Sequence, residues 1–245
     1  MLRYRLLRSL LMAAVVMVAI PQAANAQAYA SKIWSFDVNG GYVFPTGSLG
    51  DIAKGGPTFG VGFGYAVSDL VGLRIGSDWD LLKGNEDNLL APIPSPGGPS
   101  QSDINGAPNI TLWHLNGGID FDFINNPDSR FKFQLYLLGG AVIVNSQKVD
   151  SRDPNPVDTS DLGGSLIDWQ DTYPEFKGGI RLGFEVGDCT PARARVCGEI
   201  AIFGGGNVMF GNEDDSQFLA GLYGEPGFGT FIDIPVGINI RINVL

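Results

Sequence analysis

Strict two-residue alternation is the feature that most constrains this chain. From Ile232 to Val244 every second residue is apolar: Ile232, Ile234, Val236, Ile238, Ile240, Ile242 and Val244. Between them stand Asp233, Pro235, Gly237, Asn239, Arg241 and Asn243. Successive side chains of a strand point to opposite faces, so this pattern predicts a strand with one apolar and one polar face. The 3.6-residue recurrence of an amphipathic helix is missing. Seven earlier segments repeat the alternation, over Trp34–Phe44, Phe59–Tyr65, Val71–Leu81, Trp113–Phe123, Phe131–Ile143, Phe176–Val186 and Gly198–Phe210. Their polar phase includes Asp37, Arg74, Asp78, Asp120, Lys132, Lys177, Arg181, Glu185 and Glu199.

The connections alternate too. Val67–Leu70, Ile124–Ser129 and Gly187–Cys197 are short, whereas Thr46–Pro57, Lys83–Asn109, Ser146–Asp171 and Gly211–Pro226 are long. Short and long connections therefore fall at opposite ends of an up-and-down meander. An even number of antiparallel strands with short turns at one end and long loops at the other is the layout of outer-membrane barrels. The prediction is all-β: an eight-stranded antiparallel up-and-down transmembrane β-barrel, with both termini on the periplasmic side. Aromatic residues of the apolar phase gather near both ends, as interfacial girdles do. A soluble barrel of lipocalin type would turn the apolar face inward and the other face to water. That other face is rich in Gly, of which the chain has 35, and Lys is scarce, which suits a crowded lumen better than a solvated surface.

The N-terminus reads as an export signal. Arg3, Arg5 and Arg8 precede an apolar run ending at Ile20, Pro21 breaks it, and Ala24-Asn25-Ala26 has the small-x-small form of a cleavage site. The run from Leu10 to Ile20 falls well short of the roughly 20 residues of a membrane-spanning helix. The expected division is a signal peptide over 1–26, removed on export, and one barrel domain over 27–245. An apolar fraction of 44% excludes intrinsic disorder. A net charge of −10 without a basic stripe excludes nucleic acid as a partner.

The stretch Gly40-Gly41-Tyr42-Val43-Phe44-Pro45-Thr46-Gly47-Ser48-Leu49-Gly50-Asp51 resembles the first hairpin of small outer-membrane proteins. It is similar to the OmpA-type transmembrane barrel and its opacity-protein relatives, in which Gly-rich aromatic strands lead into a Pro-x-Gly loop. The resemblance extends as a pattern over Trp34–Leu245. It departs at the C-terminus, where Val244 and Leu245 stand in place of the aromatic residue usual there. The periplasmic peptidoglycan-binding domain of full-length OmpA-like proteins is not expected here.

Candidate chemistry is sparse. His114 is the only histidine, and its phase faces the lumen beside Asn116 without a recognisable Ser nucleophile motif, so no catalytic residue is expected. Cys189 and Cys197 are the only cysteines in a chain bound for an oxidising compartment, and are expected to form a disulfide in a periplasmic turn. The long loops are acidic. Glu86 and Asp87, and Glu213, Asp214 and Asp215, are weak candidates for divalent cations, with no EF-hand spacing. Charge confined in a narrow lumen must be paired, which predicts an internal ion-pair network of Asp37, Arg74, Asp78, Asp120, Lys132, Lys177, Arg181, Glu185, Glu199, Asp233 and Arg241. Arg74 with Asp120, and Asp37 with Arg241, are the expected partners at matched depth, with surplus acids toward the wetter ends.

These readings converge on a non-enzymatic integral protein of the outer membrane of a Gram-negative-type bacterium, with a structural or surface-interaction role. Its expected partners are outer-membrane lipid and lipopolysaccharide, the barrel-insertion machinery during biogenesis, and an extracellular ligand the sequence does not identify. No cofactor is expected. A narrow transport pore and a lipid-modifying enzyme are the alternatives.

Overall fold

The computed structural model describes residues 34–68, 70–85, 109–124, 129–146, 170–187, 196–211 and 230–244. The signal segment 1–26 lies outside them, as do Glu86, Asp87, Cys189, Glu213, Asp214 and Asp215. Eight long strands follow one another: β1 (Trp34–Thr46), β2 (Gly56–Ala66), β3 (Val71–Gly84), β4 (Ile110–Asp122), β5 (Phe131–Ser146), β6 (Gln170–Val186), β7 (Val196–Phe210) and β8 (Thr230–Val244). Each pairs antiparallel with its neighbours in sequence, and β8 pairs with β1, which closes the sheet. Closure leaves no unpaired barrel edge, the condition for β-structure in lipid.

The registers also set the stagger of the barrel. Starting at Asp37, the Cα partners run Gly62, Gly76, Asn116, Gly140, Glu175, Met209 and Phe231. Since Thr46 pairs with Ile232, Phe231 falls opposite position 47, ten residues beyond the start. Eight strands with that shear tilt by roughly 40° and enclose a backbone cylinder of roughly 8 Å radius. Such an interior is just wide enough for side chains to fill.

The connection after β1 differs from the expected outer loop. Gly47 adopts φ 59, a backbone that favours glycine, and turns the chain into a short helix, α1 (Ser48–Ile52). Ala53–Lys54 then pairs with Lys83–Gly84 of β3. Asn85 fastens this lid, its backbone N–H donating to Ile52 O at 2.9 Å and its side-chain amide to Gly50 O at 3.2 Å. Leu49, Ile52 and Ala53 are buried in one cluster with Val43, Leu82, Ile110, Leu112, Val142, Val144, Tyr173, Met209 and Phe231. The loop end of the lumen is therefore an apolar cap. The outermost inward positions of these strands are apolar, and the helix covers what would otherwise be a wet hydrophobic mouth.

Candidate functional site: the barrel lumen

The two faces of the wall have opposite chemistry. Outside, Val38, Val61, Ile75, Leu115, Ile180, Ile202, Ile238 and Ile240 form an exposed aliphatic band. Trp34, Phe36, Tyr65, Phe123, Phe131 and Phe184 rim it at the short-turn end, and Tyr42, Phe44, Phe59, Trp113, Phe176 and Phe210 at the loop end. Water would not tolerate this continuous apolar surface, whereas a bilayer core with aromatic interfaces matches it. Inside, Asp37, Arg74, Asp120, Lys132, Lys177, Arg181, Glu185, Glu199, Asp233 and Arg241 are all buried.

Toward the short-turn end, Asp120 gathers three guanidinium groups. Its Oδ2 lies 3.4 Å from Arg241 Nη2, 3.5 Å from Arg181 Nη1 and 3.9 Å from Arg74 Nη1. Arg74 also pairs with Asp37, whose carboxylate accepts a second bond from the Asn239 amide at 2.9 Å. Arg241 donates to Gln134 Oε1 at 3.0 Å, and the Arg181 guanidinium lies 4.8 Å from the centre of the Tyr136 ring. Lys132 Nζ meets Glu185 Oε1 at 3.5 Å. Asp37 and Arg241 are backbone register partners across the β1–β8 seam. The Asp37 carboxylate nonetheless turns to Arg74, because long side chains in a staggered barrel meet across strands rather than along a rung. Glu199 faces Arg241 in register, and its Oε1 has no hydrogen-bond partner among the described residues.

Inward glycines make room for these groups. A Cβ on Gly62 would stand 2.6 Å from both Arg74 Nη2 and Asp37 Oδ2. One on Gly183 would stand 2.5 Å from Glu199 Oε1, and one on Gly205 at 2.5 Å from the Tyr136 hydroxyl. The glycine excess of the polar phase is thus the space its long charged residues occupy.

Toward the loop end, Lys177 Nζ lies 2.9 Å from Asp78 Oδ2, and Asp78 also accepts from the Asn39 and Asn116 amides at 3.0 and 3.3 Å. His114 stands just beyond, with Nε2 3.1 Å from Asp80 Oδ2 and Nδ1 2.5 Å from Glu175 Oε2. Asp233 accepts from the Asn207 amide at 2.6 Å. One inward step further along each strand is apolar: Leu82 after Asp80, Leu112 beyond His114, Tyr173 beyond Glu175, Met209 after Asn207 and Phe231 beyond Asp233. The surplus of acids therefore lies beneath the cap, with Asp80 and Glu175 buried and Asp233 fully enclosed. Among the described residues these acids are buried beneath apolar side chains and not placed at an open end of the barrel.

Of the residues expected in the network, those on β1, β3, β4, β6 and β8 meet partners as described, and Lys132 with Glu185 forms a separate pair. Sequence reasoning did not assemble Asp80, His114, Glu175 and Asp233 into a group. The signal was present in phase alone, since all four occupy inward positions one step short of an apolar residue. A void of about 40 Å³ lies between the two charged layers, bordered by Arg74, Asp78, Lys177 and Arg181. Another of about 50 Å³ opens at the short-turn end beside Asp120 and Arg241. Each has room for a few water molecules. The acidic-loop cation candidates and the Cys189 side of the disulfide lie outside the described residues. Cys197 itself is buried at the start of β7.

A closed eight-stranded antiparallel barrel with an apolar, aromatic-rimmed exterior and a polar filled interior defines an outer-membrane β-barrel of bacterial type. No protein-family model matches the chain. No curated protein matches it either. Among solved structures it is similar to small outer-membrane barrels at low sequence identity. The attachment invasion locus protein Ail of Yersinia pestis is 11% identical, over 86% of this chain and 98% of that one, with a TM-score of 0.47. Neisserial surface protein A is 13% identical, over 85% and 95% of the two chains, with a TM-score of 0.45. The outer membrane protein OprG from Pseudomonas aeruginosa is 10% identical, over 86% and 96%, with a TM-score of 0.40. These likenesses concern the fold alone.

Proposed function

We propose that this protein is a plugged, non-enzymatic outer-membrane barrel, and that its work is structural or lies in surface interactions of its long acidic loops. In this reading residues 1–26 are removed on export, the short turns face the periplasm, and Cys189 and Cys197 staple the turn before β7. Lipid and lipopolysaccharide surround the apolar band, and the extracellular ligand is a partner of the loops. The observation that carries the proposal is the lumen filling: two layers of buried charged residues beneath an apolar cap that includes Leu49 and Ile52. Moving an ion through such an interior would require breaking pairs that cost several kcal/mol each to separate. The non-enzymatic reading is supported by His114, which is fully buried between Asp80 and Glu175 on the inner face of the wall and turned away from lipid.

Conductance of the refolded protein in planar bilayers tests this. The expected record has no large, steady single-channel steps. Steady steps, abolished by bulky substitutions at lumen glycines, would replace the plug with a transport pore.

A further inference from the structure

The loop-side layer carries more negative charge than its own residues balance. Asp78, Asp80, Glu175 and Asp233 share the layer with one lysine, Lys177, and one histidine. Lys177 is spent on Asp78 at 2.9 Å. Asp233 is fully buried, yet its Oδ2 has no hydrogen-bond partner among the described residues. The same holds for Oε1 of Glu175, which is 4% exposed. Leaving buried carboxylate oxygens unsatisfied is costly, so a proton, a water or a cation is called for at this spot.

The geometry around His114 indicates what kind. A neutral imidazole donates one hydrogen bond, but both of its nitrogens face carboxylates here. Glu175 at Nδ1 is placed to accept that one proton. Nε2 then presents its lone pair toward Asp80 Oδ2 at 3.1 Å, an unfavourable approach unless a second proton or a metal ion lies between them. A separation of roughly 3 Å is also the distance between two ligand atoms that share an ion with bonds of roughly 2.1 Å. One ligand atom each of His114, Asp80 and Asp233 lie within 4.8 Å of one another, and all three residues are buried. A carboxylate behind the other nitrogen of a ligating histidine fixes its tautomer and raises its basicity.

We propose that the lumen binds a divalent transition-metal ion beneath the apolar cap. His114 Nε2, Asp80 and Asp233 are the ligands, with Glu175 orienting His114 and Asn207 orienting Asp233. One imidazole with two carboxylates suits zinc or a neighbouring first-row divalent ion rather than calcium, which takes six or more oxygens. The ion offsets the surplus charge of the layer and ties β3, β4 and β8 together across the lumen. The cap of Leu82, Leu112, Met209 and Phe231 lies over the site, so the ion enters during folding and exchanges slowly afterwards.

The test uses the whole exported chain, with its cysteines oxidised, refolded into vesicles with and without Zn²⁺ and then freed of loose ion. The expected result is about one zinc retained per chain, a higher urea midpoint for the zinc-refolded sample, and little uptake when zinc is added after folding. Glu175→Gln should weaken retention roughly 10- to 100-fold, and Asp233→Asn or His114→Gln by at least as much. Zinc-edge X-ray absorption of the unaltered protein should show one imidazole among oxygen ligands, which decides the matter even if a variant fails to fold. Equal retention by the unaltered protein and Asp233→Asn would overturn the proposal. So would no retention, which would leave protons to balance the layer, or an all-oxygen ligand shell, which would move the ion to the acidic loops.

Discussion

Replacing Arg241 by alanine is the sharpest probe of the plugged lumen. Its guanidinium is buried, 3.4 Å from Asp120 Oδ2 and 3.0 Å from Gln134 Oε1, and its Cα stands opposite Asp37 on one side and Glu199 on the other. In the short-turn layer Asp37, Asp120, Asp122, Glu185 and Glu199 face Arg74, Arg181, Arg241 and Lys132, so the substitution leaves five acids against three bases. Coulomb attraction at 3.4 Å is worth about 5 kcal/mol at an effective dielectric constant of about 20. Asp120 keeps Arg181 at 3.5 Å and Arg74 at 3.9 Å, so it is not stranded outright. The void beside Asp120 leaves room for water to solvate the carboxylate, which lowers the cost further. The expected loss is about 3 kcal/mol, the low end for breaking a buried pair. Urea titration in lipid vesicles, followed by tryptophan fluorescence, reads this as a midpoint lower by roughly 1–2 M. Adding Glu199→Gln removes the carboxylate that faces the vacated space, and should return about half of the loss. A change below about 0.5 kcal/mol, with no recovery in the double variant, would refute the idea that the lumen is held by paired buried charge.

The glycines of the inner face predict a steric counterpart. Gly62→Val should cost on the order of 2 kcal/mol in the same titration, because its side chain enters the space of the Arg74–Asp37 pair, and a neutral outcome would mean the lumen is looser than described. On intact cells, an added protease is expected to cut within 86–108 or 147–169 and to spare 188–195; the reverse pattern would invert the topology. Thiol titration of the exported, unreduced protein should find no reactive cysteine, and two equivalents after reduction; two before reduction would exclude the bridge between Cys189 and Cys197.

Much of the wall was legible in residue order. Strand side chains alternate whatever the neighbours are, so Ile232 to Val244 could be sorted into two faces before any strand had a partner. The girdle residues, such as Trp34 and Phe210, declared the outer face because aromatic side chains favour a membrane interface. Pro45-Thr46-Gly47 marked a turn, and the structure places a positive φ at Gly47. The same alternation also carried the apolar cap, since Leu82, Leu112 and Phe231 lie in the inward phase. Without knowing that α1 folds over the mouth, those positions read as strand ends leading into open loops.

Which inward residue meets which was legible only in part: Arg74 lies 3.9 Å from Asp120 as expected, but Asp37 pairs with Arg74 and not with Arg241. Partners in the lumen depend on the ten-residue stagger at closure, a property of all eight registers together that no local segment encodes. Asp37 is opposite Arg241 on a rung yet binds Arg74 from β3, and Asp120 draws arginines from β3, β6 and β8. His114 on β4 meets Asp80 next door on β3 and Glu175 two strands away on β6, and its ligand atom lies close to that of Asp233 on β8. Alternation assigns a residue to the inside because its cause is the backbone of one strand. Contact across the lumen arises only when a curved sheet has closed and long side chains from distant strands compete for the same few ångströms.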